Sequence, residues 1–74
     1  MEIFGKRIRE LRKENGLKQQ DIANILGTTK QNVSRWEIDF CEPDQATMVK
    51  LARFFGVSAD YLLGLENYDG SKKD

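Results

Sequence analysis

Residues 17–37 read LKQQDIANILGTTKQNVSRWE, and the recurrence of apolar side chains through them decides the fold. Leu17 enters as an apolar residue, and Ile22, Ala23 and Leu26 then fall on one face of a short helix that Gly27 closes. After a tight turn at Gly27 and Thr28, Thr29 is a good N-cap, because its hydroxyl accepts a hydrogen bond from the free N–H of residue 31 or 32. A second helix runs from there to about Glu37, with only Val33 and Trp36 large and apolar. Burying those two presents Lys30, Gln31, Ser34 and Arg35 as one stripe, since positions i, i+1, i+4 and i+5 share a side of a 3.6-residue helix. Helix, tight turn and helix make a helix-turn-helix corner, which many small helical proteins contain. The polar stripe faces either solvent or a DNA groove.

Outward from this corner the helical period continues. In EIFGKRIRELRKENG, residues 2–16, Phe4, Ile8 and Leu11 recur at helical spacing among charged residues, and Gly16 is a natural left-handed stop. After the corner, IDFCEPD breaks the period: Pro43 disfavours a helical conformation at Glu42, and Asp44 is available to cap the next helix. That fourth helix carries Met48, Leu51, Ala52 and Phe55 and ends at Gly56. VSADYLLGL predicts a fifth, capped by Ser58, with Leu62 on its inner face and a stop near Gly64. The polar residues 66–74 are expected to be a frayed tail. No segment has the two-residue period of a strand and none repeats another, so the class is all-α with five short helices.

At 74 residues the chain is one domain, which buries about 60% of the surface its unfolded form exposes. Cys41 is the only cysteine and histidine is absent, so no internal disulfide forms and no zinc or other metal site is expected. No cofactor is expected either. The apolar runs are far shorter than the roughly 20 residues needed to span a bilayer, and charges occupy the N-terminus where a signal peptide needs its apolar core. The expected compartment is the cytoplasm. The net charge of 0 argues against a nucleic-acid partner if taken in bulk, but it is unevenly spread. Through Trp36 eight basic residues face four acidic ones; from Glu37 onward four basic residues face eight acidic ones. Such asymmetry can make one face basic while the molecule stays neutral.

The pattern in LKQQDIANILGTTKQNVSRWE goes beyond a generic corner. A Gln opens the first helix of the pair, Ala sits inside it, Gly opens the turn, and an apolar residue precedes Ser-Arg-Trp-Glu. This resembles the phage repressor and Cro family, also called Xre-type, and MVKLARFFGVSADYLL is similar to that family's fourth and fifth helices. The resemblance covers about residues 3 to 65. It implies a compact five-helix bundle of the lambda-repressor-like type, with a helix-turn-helix DNA-binding domain over residues 1–65. It further implies a sequence-specific regulator of transcription, a repressor, that places the third helix in the major groove of double-stranded DNA.

Residue by residue, the resemblance puts Lys30, Gln31 and Arg35 against base edges. Lys and Arg donate to O6 and N7 of guanine, and a Gln amide both donates to N7 and accepts from N6 of adenine. Ser34 is shorter and contacts either a base or nothing. Asn32, to one side of the stripe, is better placed for a phosphate, as is Thr29 at the helix start. Gln19 stands where free N–H groups and the helix dipole favour an anion, so the family's phosphate clamp falls on it and that helix end, and Lys18 adds a charge for a phosphate. Lys18 replaces the usual capping Ser, Thr or Asn, which weakens that helix start. Arg9, Arg12 and Lys13 either add long-range attraction or are simply solvated. Ala23 is small where the second and third helices cross, and Trp36 is expected to close the core. The family pairs through its fifth helix, so a homodimer on a palindromic operator would use Tyr61, Leu65 and Tyr68; internal packing accounts for Tyr61 equally well.

The loop departs from the family. Asp39 and Glu42 stand where relatives often carry basic residues, and carboxylates there repel phosphate. Phe40 and Cys41 are expected to fold inward; otherwise they form a small partner or redox-sensitive patch. The neutral charge and acidic second half also suit a different class, a protein-interaction module such as an antitoxin or adaptor. An enzyme is disfavoured, because the chain has no histidine, no Gly-rich phosphate loop and no metal-ligand cluster, so no catalytic residue is assigned.

Overall fold

The computed structural model describes residues 2–65. Five helices succeed one another: α1 (Glu2–Glu14), α2 (Gln19–Leu26), α3 (Lys30–Glu37), α4 (Gln45–Phe55) and α5 (Ala59–Leu62). Each buries the apolar side its period marks. Phe4 and Ile8 of α1, Ile22 and Ala23 of α2, Val33 of α3, Leu51 of α4 and Leu62 of α5 are wholly removed from solvent, and Trp36 is 6% exposed. Leu17, Leu26 and Phe55 are half-buried against this core. No described helix is long and apolar enough to cross a membrane.

Local chemistry sets the helix ends. Gly27 takes φ +70°, and Thr28 N–H closes the turn by donating to Ala23 O at 2.9 Å. Only a residue without a Cβ enters that conformation at little cost. Thr29, Asp44 and Ser58 cap α3, α4 and α5, each accepting from the backbone N–H three residues on. The start of α2 is better closed than a lysine at the cap suggests, because Asp21 Oδ2 accepts from Lys18 N–H at 2.8 Å.

The end of α3 differs from the expectation for its loop. Phe40 N–H donates to Arg35 O at 2.9 Å and Asp39 N–H to Trp36 O at 3.1 Å, the closure normally built around a left-handed glycine. Here the left-handed residue is Asp39, at φ +59°. Aspartate is among the few side chains that tolerate this region, and Asp39 Oδ1 also accepts from Gly5 N–H at 3.1 Å. Asp39 therefore turns toward the first turn of α1. The residues after it swing the other way: Phe40 is 73% exposed and Cys41 is exposed, where an inward fold was expected.

Tyr61 also resolves inward. It is 7% exposed, its ring lies 4.1 Å from the Arg7 guanidinium carbon, and its carbonyl accepts from Arg7 Nη1. This ties α5 to α1 within one molecule and accounts for Tyr61 by internal packing. Leu65 is exposed, and Tyr68 and the tail lie outside the described residues.

Gly5 is where α1 meets the end of α3. A Cβ at this position would stand 2.5 Å from Glu37 O, 2.7 Å from Trp36 O and 2.8 Å from Asp39 Oδ2. Alanine in a helix interior normally gains about 1 kcal/mol over glycine. Gly5→Ala is nevertheless expected to destabilise the fold by about 1–3 kcal/mol, through overpacking against rigid backbone. A lowered urea midpoint at unchanged slope is the expected reading; a raised midpoint would mean that α1 shifts freely on α3. The hydrogen bonds from Thr47 hold the Asp44 carboxyl below the usual carboxylate range. A folded value below the unfolded one stabilises above the unfolded value, about 4, and is lost as pH falls through the folded one. Asp44→Asn should therefore flatten the fall of melting temperature as pH drops below the ordinary carboxylate range of about 4.

Candidate nucleic-acid interface

One edge of the molecule gathers the C-terminal part of α1, the start of α2 and the outer side of α3. Val33 and Trp36 anchor α3 inward, which leaves Lys30, Gln31 and Arg35 exposed and Ser34 half-buried on the outer side. Beside them a concave depression of about 350 Å³ is lined by Arg12, Lys18, Gln19, Gln20 and Lys30. Its lining holds three cations, two amides and no carboxylate. That composition suits an anion.

Beneath the depression lies a contact between helices that the charge pattern of α1 does not announce. Arg12 Nε donates to Glu37 Oε2 at 2.7 Å and Nη2 to Glu37 Oε1 at 3.0 Å, a two-pronged guanidinium–carboxylate pair. The side chains are 13% and 4% exposed. Arg12 Nη1 also donates to Leu17 O at 3.0 Å, fixing the chain between α1 and α2. The hydrogen bonds to Glu37 raise the Arg12 pKa above its ordinary value against the opposing effect of burial, with the charge of Glu37 adding to the rise. Arg12 is thus an internal partner of Glu37 rather than a solvated or long-range steering charge. A sequence signal existed: Arg12 continues the spacing of Phe4 and Ile8, and Glu37 stands four residues after Val33. A charge on a buried stripe needs a partner.

Gln19 and Asn32 carry internal bonds as well. Gln19 is half-buried and its Nε2 donates to Glu37 Oε1 at 3.1 Å. Asn32 is half-buried, its Nδ2 donating to Thr28 Oγ1 at 2.8 Å and its backbone N–H to Thr29 Oγ1 at 3.1 Å. Both amides therefore brace the corner, with at most part of their hydrogen-bonding capacity facing outward. Lys18 and Thr29 are exposed at the two helix starts. Asp39, expected beside the loop as a repelling charge, is half-buried and turned to Gly5, while Glu42 is exposed.

Buried apolar faces on α2 and α3, a glycine turn between them, and a polar outer stripe beside a basic depression define a helix-turn-helix module of the phage-repressor type. The chain belongs to that family: the model of the helix-turn-helix domain family matches residues 5–68. It is similar to YonR, an HTH-type transcriptional regulator derived from the SPbeta prophage of Bacillus subtilis, with 43% identity over 61 residues, 82% of this chain and 56% of that protein. Similarity to the HTH-type transcriptional regulator ImmR of the same bacterium is 40% over 71 residues, 96% of this chain and 54% of that protein. The chain thus spans about half the length of the curated relatives it matches. Among solved structures, the c2 repressor of phage P22 in complex with a synthetic operator superposes with a TM-score of 0.78 at 29% identity, covering 84% of this chain and 94% of that one.

The buried ion pair gives a direct test of how this edge is held. Arg12→Ala and Glu37→Ala each leave the other charge without its partner and are expected to destabilise the fold by less than the roughly 3–5 kcal/mol of a fully buried pair, because Arg12 borders the open depression. The double variant Arg12→Met/Glu37→Leu should recover a large part of that loss, since an apolar pair of similar volume needs no desolvation of charge. Urea unfolding of the three variants decides; a double variant no more stable than the singles would show that the pair sets geometry that apolar packing does not replace.

Proposed function

We propose that the protein is a sequence-specific double-stranded DNA-binding transcriptional regulator, a repressor, that lays α3 in the major groove and acts by occupying its operator rather than by chemistry. The observation that carries this reading is the outer stripe of α3 beside the basic depression. Lys30, Gln31 and Arg35 project from a helix held rigidly by Val33 and Trp36, and the depression accepts the backbone phosphate that flanks such a groove. The operator complex of the P22 c2 repressor supports it, because a chain of the same fold and nearly the same extent is bound to an operator there.

In this reading Lys30, Gln31 and Arg35 read base edges and Ser34 lies against the same bases at shorter reach. Lys18 and Thr29 position a phosphate, with the outward parts of Gln19 and Asn32 adding to them. A single module makes few phosphate contacts, so two copies read two half-sites about one helical turn apart. With Tyr61 turned inward, Leu65 is the described residue that would contribute to pairing. Such a regulator works in the cytoplasm.

One observation favours a second reading, a protein-interaction module such as an antitoxin or adaptor: Ile38 and Phe40 are 70% and 73% exposed in a loop that also carries Glu42. Salt separates the two readings, because DNA binding weakens steeply through counterion release while an apolar interface does not.

Sequences would first be selected from a random DNA pool, then titrated against variants at two salt concentrations. Gln31→Ala and Arg35→Ala should each lose about 1–3 kcal/mol of discrimination for the selected site while random DNA is bound as before. Lys18→Ala should weaken both by similar factors and flatten the salt dependence by about one unit of slope. Gln19→Ala should also lower stability, by about 1.5–3 kcal/mol, since it removes a hydrogen bond to a charged group. Preference for the selected site surviving both Gln31→Ala and Arg35→Ala, with folding intact, would place the stripe in solvent and sink the reading.

A further inference from the structure

Phe40 is an unusual residue to leave in water at the end of a candidate recognition helix. Its ring is 73% exposed and joins no apolar cluster of the core. What it does meet is Arg35, whose guanidinium carbon lies 5.8 Å from the ring centroid, within the range of a cation–π contact. The backbone brings the two residues near each other. Phe40 N–H donates to Arg35 O at 2.9 Å, and Asp39 at φ +59° turns the chain so that the ring comes back along the last turn of α3.

The geometry points to Phe40 as a positioning residue that holds the guanidinium of Arg35 for base reading. This inference rests on the DNA-binding function proposed above. An arginine side chain loses rotamer freedom when it docks, and a surface that restricts it beforehand reduces that loss. How it is restricted matters. A carboxylate partner would engage the N–H donors that guanine O6 and N7 require, whereas a ring engages the flat face of the guanidinium and leaves the donor edge available. Among the described residues Arg35 has no carboxylate partner, although Asp39 stands beside Phe40 in sequence. The reason is the left-handed turn: it sends Asp39 to Gly5 N–H and Phe40 to Arg35. The loop thus separates a potential competitor from the arginine and puts a ring in its place.

The first measurement needs no DNA. In the free protein, NMR of the Arg35 side-chain protons should show an upfield ring-current shift that Phe40→Leu abolishes and Phe40→Tyr keeps; equal shifts in parent and Phe40→Leu would overturn the contact. The second is titration of the selected operator and of its single-base-pair variants by the parent, Phe40→Ala, Phe40→Leu, Phe40→Tyr, Arg35→Ala and the double variant Phe40→Ala/Arg35→Ala. At the base pair where Arg35→Ala relaxes specificity, Phe40→Ala and Phe40→Leu should each lower discrimination by about two- to five-fold, the scale of an exposed cation–π contact. Phe40→Tyr should retain it, and Phe40→Ala should add nothing once Arg35 is gone. Equal weakening on every sequence, or the same loss in the Arg35→Ala background, would show that the ring touches DNA directly and overturn the positioning role. No loss in any Phe40 variant overturns it as well, and in that case a partner captured through the ring becomes the account of its exposure. A parent that selects no sequence overturns the DNA reading and this use of the ring together, while the NMR result reports separately on the contact itself. Thermal transitions matched to the parent ensure that the variants compared are folded.

Discussion

The carboxylate of Glu37 holds the working edge of this molecule together. It takes two hydrogen bonds from Arg12 of α1 and one from Gln19 of α2, and it sits at the last residue of α3. Three helices thus converge on one nearly buried charge. Such a pair adds little net stability over an apolar pair, because desolvating both ions offsets most of their attraction. Its geometry, though, is directional where apolar packing is not. A fork and a carboxylate meet in one orientation, so the ends of α1 and α3 and the start of α2 are held in register.

That register gives α3 its attitude. Val33 and Trp36 seat it against the core, and Gly5 lets the carbonyls of Trp36 and Glu37 come within the reach of a methyl group. The α3 terminus is then finished by Asp39, which does two jobs. Its backbone adopts the left-handed turn that ends the helix, and its carboxylate accepts from α1. Glycine would satisfy the turn but not the second bond.

The same arrangement accounts for how a chain of net charge 0 presents a basic edge. Three carboxylates are turned inward or along the backbone: Glu37 to Arg12 and Gln19, Asp39 to Gly5 N–H, Asp21 to Lys18 N–H. The cations Lys18, Lys30 and Arg35 are left exposed. Charge that is counted along a chain carries no direction, and direction decides the field that a partner meets.

Much of the fold was legible in the sequence because it depends on local rules. The period of Phe4, Ile8 and Leu11, of Ile22 and Ala23, and of Val33 and Trp36 marks buried helix faces, while Thr29, Asp44, Ser58 and the glycines punctuate them through hydrogen bonds spanning three or four residues. Those interactions are short in sequence, so their residues identify them. The composition of the α3 stripe was legible for the same reason. The destinations of Arg12, Asp39, Phe40 and Tyr61 were not: Arg12 meets Glu37 25 residues away, Asp39 meets Gly5 34 away, and Arg7 reaches Tyr61 54 away. A charged or aromatic side chain is compatible with solvent, a partner or the core, and only the packing of α1 against α3 and α5 selects among these. Buried faces and helix ends follow from apolar period and from hydrogen bonds between near neighbours in the chain. Which polar groups stay available at the surface depends instead on long-range packing, because a buried charge or amide takes whatever partner the folded chain brings within about 3 Å of it.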